Sequence, residues 1–309
     1  MIIIIKVGFH DIKAISRIKP NNTGGDRVIL KERRIAMPYL ATENLDISYG
    51  ERKIVEDLNL KIPKGKMTII IGPNGCGKST TLKTLARIMQ PKKGTVYLDG
   101  KAIHKQSTKE IAKKMAILPQ APDAPSGLTV FELVTYGRFP HQSGFGRITA
   151  EDKKIIHWAL TVTGTLPFKD RPVDALSGGQ RQRVWIAMAL AQQTDSILLD
   201  EPTTYLDLAH QLEVLELLKE LNKKEDRTVV MVLHDLNHAA RFADYMVAMC
   251  DGRIVCEGEP EKVMTTEILK KVFQIDAEIV QDPRTKRPVC LTYDLLKDEQ
   301  LDIGKAAGI

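Results

Sequence analysis

The sequence has no long apolar run. No uninterrupted hydrophobic stretch approaches the ~20 residues a membrane-spanning helix requires. Ile2 to Ile5 is a run of four, too short for a span or for the core of a signal peptide. Any role at a membrane is therefore expected to be peripheral. Cysteine is sparse as well. Cys76, Cys250, Cys256 and Cys290 are the four in 309 residues, and no two have the C-x-x-C spacing of a zinc or redox motif. That excludes a disulfide framework or a zinc cluster as the organising feature and leaves free thiols in a reducing compartment. There is no internal repeat, which excludes a tandem duplication.

A basic face of the kind nucleic acid demands is missing too. Formal net charge is +6, but residues 1–36 hold eight Lys/Arg against three Asp/Glu, leaving 37 basic against 36 acidic residues over 37–309. The basic character thus sits in a short leader, which carries the chain breakers Pro20-Asn21-Asn22-Thr23-Gly24-Gly25 and no periodicity. It reads as a disordered tail. Met37, directly before the first ordered pattern at Pro38-Tyr39-Leu40, is an alternative start. What is present is an ordinary globular balance, 43% hydrophobic and 27% charged, over a length that can bury one or two cores.

From Tyr39 the pattern alternates between strand and helix. Residues 45–49 alternate apolar and polar. Residues 53–62 read as a second strand, closed by a Lys64-Gly65 turn. Residues 67–71 (Met-Thr-Ile-Ile-Ile) form the β-branched run of a strand buried on both faces. A glycine-rich loop and a helix over 79–89 follow, then strand 95–98, helix 108–114 and strand 115–119. The texture changes over 121–175, where helices at 130–137 and 150–163 are joined by loops rich in Gly, Pro and His. Alternation resumes with helix 178–192, strand 196–199, helix 207–222, strand 228–233, helix 235–243 and strand 245–250. Residues 278–281 and 289–293 flank a turn-forming segment as a hairpin. This predicts a parallel α/β core interrupted by a mainly helical insert.

Three motifs carry chemistry. Gly72-Pro73-Asn74-Gly75-Cys76-Gly77-Lys78-Ser79-Thr80 fits the phosphate loop G-x-x-x-x-G-K-[ST] between a strand and a helix. Its glycines let backbone N–H groups wrap phosphates at a helix N-terminus. Lys78 is expected to reach the β- and γ-phosphates and Ser79 to hold Mg²⁺. Ser196-Ile197-Leu198-Leu199-Asp200-Glu201 is an apolar strand ending in two carboxylates. Asp200 is placed to bind Mg²⁺ and Glu201 to orient or deprotonate an attacking water. Alone, such a pair reads as a solvated loop; the phosphate loop upstream reverses that. Leu176-Ser177-Gly178-Gly179-Gln180 offers a hydroxyl and unshielded N–H groups at a second helix start. One chain cannot easily fold both ends around one nucleotide, so two subunits are expected, each presenting Ser177, Gly178, Gly179 and Gln180 to the other's ATP.

In order and kind these motifs resemble the ATP-hydrolysing subunits of ABC transporters, from about Tyr39 to at least Pro260. The resemblance implies a phosphate-loop NTPase core with a parallel sheet, N-terminal antiparallel strands and a helical subdomain insert. It divides the chain into the leader (1–36), an ATPase domain (38–260) with its insert at about 121–178, and a short C-terminal extension (261–309). It also implies four roles. Tyr49 stacks on adenine, Gln120 senses Mg²⁺ and the γ-phosphate, Asp207 of Thr204-Tyr205-Leu206-Asp207 crosses a dimer interface, and His234 is a switch contacting the γ-phosphate. Outside that frame each has a plainer reading: edge-strand aromatic, solvated loop residue, helix N-cap and buried structural histidine.

Val134-Thr135-Tyr136-Gly137-Arg138-Phe139-Pro140-His141, Gly144-Phe145-Gly146-Arg147 and the strings after Arg181, Thr203 and His234 are similar to the ATPases of importers for iron–siderophore complexes, haem and cobalamin, most nearly the ferric-siderophore members. The resemblance implies ATP and Mg²⁺ as cofactors, a homodimer on the cytoplasmic face of the membrane, two integral permease subunits, an extracytoplasmic siderophore-binding protein and no nucleic acid. Phe131, Tyr136 and Phe139 are candidates for a groove that grips a membrane subunit, or for helix core packing. The rival readings are a cobalamin, haem or other metal-chelate importer, a soluble ABC ATPase acting on ribosomes or nucleic acid, and a cytosolic assembly factor.

Overall fold

The computed structural model describes residues 38–296 apart from 121, 123, 143–146 and 205. The leader over 1–36, the alternative start Met37, the Gly144-Phe145-Gly146 segment, Tyr205 and residues 297–309 of the extension lie outside the described residues.

In chain order, β1 (Leu40–Tyr49), β2 (Arg52–Leu58) and β3 (Lys61–Ile62) precede β4 (Met67–Ile71) and α1 (Lys78–Leu85). Then come β5 (Lys93–Leu98), β6 (Lys101–Ala102), α2 (Thr108–Lys114) and β7 (Met115–Leu118). The insert supplies α3 (Val130–Thr135) and α4 (Ala150–Val162), and the chain continues with α5 (Gly178–Ala191), β8 (Ser196–Asp200), α6 (Leu208–Glu225), β9 (Thr228–Val232), α7 (Leu236–Phe242), β10 (Tyr245–Cys250) and β11 (Arg253–Gly258). The extension adds α8 (Pro260–Val263), α9 (Thr266–Phe273), β12 (Ile275–Gln281) and β13 (Pro288–Leu295).

The central sheet has the order β11-β10-β4-β9-β8-β7 and is parallel except for the edge strand β11. Strands β4, β8 and β9 are buried at every residue, as their continuous apolar runs require. Side chains alternate across the sheet. Met67, Ile69 and Ile71 enter one core with the helices of the insert, while Ile70 enters a second core beneath the antiparallel sheet. That smaller sheet runs β2-β1-β5-β6, with β3 also on β1. The strand expected over 53–62 is two pieces here. Asp57 turns to positive φ, and Asn59 bonds sideways to the Asn44 N–H.

The insert is tied to α5 through Arg138. This residue lies in a 3₁₀ turn that prolongs α3 and is 5% exposed. Its guanidinium donates to Asp152 Oδ1 at 2.8 Å and to the Ala191 carbonyl, at the end of α5, at 2.7 Å. The hairpin expected near 278–293 is present as β12 and β13. It does not stand apart, since Ile275, Ala277 and Cys290 join the core that also holds Ile69 and Ile71.

Candidate active site

Parallel strands bring their C-terminal ends to one edge of a sheet, and loops leaving adjacent strands meet there. In this fold β4, β9, β8 and β7 are consecutive neighbours. The phosphate loop leaves β4, His234 follows β9, Asp200 ends β8 with Glu201 directly after it, and Gln120 follows β7. Four segments far apart in sequence thus converge through topology alone.

The phosphate loop depends on two glycine positions. Gly72 has φ +151, and a Cβ there would lie 2.2 Å from the Met249 carbonyl oxygen of β10. Gly77 caps α1 with φ +100, where a Cβ would meet Val55 Cγ2 at 2.8 Å. Between them Pro73, Asn74, Gly75 and Cys76 complete the turn. Cys76 is buried, which raises its thiol pKa, and its Sγ packs toward Gly72. Lys78 is 5% exposed and donates to the Gly72 and Pro73 carbonyls, each at 2.8 Å. It makes no ion pair among the described residues. A buried ammonium held only by carbonyls at a helix start is suited to an anion. Thr80 is buried on the first turn of the same helix.

Ser79 Oγ donates to Asp200 Oδ1 at 2.7 Å. Burial pushes the Asp200 carboxyl up, against the bond from Ser79 that favours its charged form. A carboxylate penalised in this way gains from a cation. The donors at hand, the Ser79 hydroxyl, the Asp200 carboxylate and the Gln120 carbonyl, are hard oxygens of the kind Mg²⁺ takes. The residues therefore fit the ion.

Glu201 is the hub. Its backbone has φ +50, a conformation that costs a non-glycine residue about 1–3 kcal/mol. Three side chains hold its carboxylate. Gln120 Nε2 and Thr204 Oγ1 donate to Oε2 at 2.5 and 3.1 Å, and His234 Nε2 lies 2.5 Å from Oε1. Glu201, Thr203, Thr204, Gln211, His234 and Asp235 line a small cavity of about 170 Å³. Thr204 belongs to the site and was not singled out from sequence. Its N–H also bonds the Glu201 carbonyl at 3.2 Å, a turn that the three-residue spacing could have revealed.

The other expected residues lie elsewhere. Tyr49 ends β1 with 53% of its surface exposed. Ser177 caps α5 by accepting from the Gln180 N–H at 3.3 Å, and the Gln180 carboxamide accepts from the Ser177 N–H at 3.2 Å. Gly178 is exposed, with open space where a Cβ would stand. Asp207 caps α6 and also bonds His210 Nδ1 at 2.7 Å. No hydrogen bond among the described residues joins Ser177–Gln180, Tyr49 or Asp207 to the phosphate loop. Of the insert aromatics, Phe131 packs on the core, whereas Tyr136 and Phe139 stack at 4.9 Å and are 37% and 56% exposed.

The geometry is matched by kinship. The family model for ABC transporters matches residues 55–204. The iron(3+)-hydroxamate import ATP-binding protein of Bacillus subtilis is 69% identical over 264 residues, 85% of this chain and 98% of that protein. Among solved structures, an inward-facing ABC transporter assigned to the metal-chelate type shares 29% identity with TM-score 0.71, over 85% of this chain and 99% of that one. A dimeric ATP-binding cassette in a post-hydrolysis state with ADP and phosphate shares 32% identity with TM-score 0.63, over 71% and 98%. With a phosphate loop, paired carboxylates and a glutamate hub in this arrangement, and with relatives this similar along nearly their whole length, the chain belongs to the ABC transporter family as one of its ATP-binding, ATP-hydrolysing subunits.

Proposed function

We propose that this chain powers import of iron(III)–siderophore complexes, of the hydroxamate class, by hydrolysing ATP at two composite sites of a homodimer. Two permease subunits would carry the cargo through the membrane, and a siderophore-binding protein outside would deliver it. The chain would sit peripherally on the cytoplasmic face, and no helix among the described residues is long and apolar enough to cross the membrane. The cargo assignment rests on the similarity to the Bacillus subtilis hydroxamate-import protein.

The single observation that carries the chemistry is the Glu201 carboxylate, held by Gln120, Thr204 and His234 beside the phosphate loop. In the mechanism, the phosphate-loop N–H groups and Lys78 bind the β- and γ-phosphates. Ser79, Asp200 and Gln120 would hold Mg²⁺, which supplies neutralisation of phosphate charge when bound. Glu201 orients a water and accepts its proton, with His234 and Gln120 keeping its carboxylate aimed. Tyr49 offers an open ring to adenine. Ser177 to Gln180 serve the partner's nucleotide, and Asp207 crosses to the partner. Tyr136 and Phe139 offer an exposed aromatic pair to a helix of the permease.

The test is uptake of iron-55 as a trihydroxamate chelate in a strain deleted for this gene. Complementation by wild type should restore uptake and Glu201→Gln should not, while haem and cobalamin uptake stay normal. Unchanged iron-chelate uptake on deletion would refute the cargo assignment.

A further inference from the structure

The C-terminal hairpin lies far along the chain from the site yet reaches its edge. It is a fixed body. Ile275, Ala277 and Cys290 are buried in the main core, the Thr266 hydroxyl donates to the Ala277 carbonyl at 2.8 Å, and the Leu296 N–H donates to the Gln274 carbonyl at 3.2 Å. In a two-stranded sheet each strand has an open edge that presents N–H and C=O groups. At Cys290 one side chain engages both. Asn237 Nδ2 donates to the Cys290 carbonyl at 3.1 Å, and the Cys290 N–H donates to Asn237 Oδ1 at 2.8 Å. A carboxamide carries its donor and its acceptor on separate atoms and so can make both bonds at once. Asn is otherwise a poor helix former for the first turn of a seven-residue helix.

That helix carries the loop of His234. Before the histidine, the Leu233 N–H donates to the Ile70 carbonyl at 3.3 Å; after it, Asp235 caps α7 by accepting from the His238 N–H at 2.6 Å. A helix this short is not stable by itself and takes its place from what it touches. Ala239, Ala240 and Phe242 anchor its far end in the core. Toward the hairpin a cavity of about 570 Å³ opens beside the shared core, lined by His234 and Asp235 and, from the extension, by Phe273, Ile275 and Tyr293. Among the described residues the Asn237–Cys290 pair supplies the hydrogen bonds that join α7 to the hairpin.

We infer that Asn237 is a positioning residue, whose reciprocal bonds to the Cys290 backbone hold the first turn of α7 against the C-terminal hairpin and so keep His234 aligned on Glu201. The inference rests on the reading of His234 and Glu201 as parts of the hydrolytic site. It gives the extension a part in ATP turnover.

The test compares the full chain with Asn237→Leu, Asn237→Asp, Cys290→Ala and His234→Ala. The readouts are kcat and KM for ATP, nucleotides bound per chain, and the imidazole NMR signals of labelled histidine, with the His234 signal assigned by its loss in His234→Ala. Leu is close in size and breaks both bonds. It should lower kcat about five- to tenfold, with KM within about twofold, and shift the His234 signal. Asp keeps the accepting half and should fall between Leu and wild type. Cys290→Ala leaves the backbone groups in place and should turn over normally. A wild-type kcat in Asn237→Leu overturns the inference. So does a loss of turnover matched by an equal loss of nucleotide binding or accompanied by an unmoved His234 signal. If Asn237→Leu does not fold, Asn237→Asp is judged by the same criteria. Full turnover in His234→Ala would overturn the site reading itself, whereas lost turnover there beside normal turnover in Asn237→Leu overturns the clamp alone.

Discussion

Glu201 is the proposed base, and its backbone takes a conformation unusual for a glutamate. A glutamate at φ +50 is held there by its surroundings, with two side-chain hydrogen bonds and the His234 ring on its carboxylate. Glu201→Gln keeps the shape and removes the basic oxygen. The expected outcome is a turnover loss of at least about 100-fold with ATP affinity retained, measured by steady-state ATPase assay and fluorescent-nucleotide binding. A rate near wild type would remove Glu201 as the base. Gly72 is a second single-residue constraint. A methyl there meets a backbone carbonyl oxygen at 2.2 Å on a strand that cannot retreat from a buried sheet. Gly72→Ala should therefore cost about 2–4 kcal/mol in denaturant unfolding and weaken nucleotide binding.

At the scale of elements, strands β4, β8 and β9 were readable because burial on both faces leaves a continuous apolar signature. The edge strand β11, half-buried and mixed in composition, and the short helices α8 and α9 carried no such signature and went unread. The phosphate loop was legible since glycine spacing is itself the mechanism. Thr204 and Asn237 were not, because their bonds follow from turns and from a hairpin distant in sequence. Arg138 was legible only as part of a familiar string. The structure gives it a task, which is to join α3, α4 and the end of α5 through a buried ion pair. Burial opposes ionisation of Asp152, but bonds from Arg138 and Thr149 hold its carboxyl down at about 2. Folding thus lowers this pKa, so the pair's contribution is complete above the ordinary aspartate value and is lost as pH falls through about 2. Arg138→Met should destabilise by about 3–5 kcal/mol at neutral pH, since it leaves a buried carboxylate alone. Chemical denaturation at pH 7 and again near pH 3 checks this, with the gap between mutant and wild type narrowing at the lower pH.

At the scale of the whole molecule, the central question is why a chain should carry a second glycine-rich helix start, at Ser177, besides the phosphate loop. The phosphate loop sits over a buried lysine, and Ser177 and Gly178 stand exposed at the start of α5 without a bond to it. A homodimer related by a two-fold axis resolves this, since each copy can complete the other's site. The arrangement makes a prediction that no single mutant can make. Ser177→Arg places a bulky cation where the partner's phosphate must approach, and Lys78→Ala removes the ammonium that holds the phosphates, so each homodimer should be nearly inactive. In a mixed dimer, both defects fall on one site. The arginine then faces the phosphate loop that has lost its lysine, where no tightly held nucleotide obstructs closure, and the other site pairs an intact loop with an intact Ser177. Random mixing in equal amounts makes about half the dimers of this kind. ATPase activity of the mixture should therefore rise above that of either parent and follow the product of the two concentrations. Activity that stays at the parental level at every ratio, with mixed dimers demonstrated by differently tagged subunits, would mean that Ser177 does not serve the partner's nucleotide.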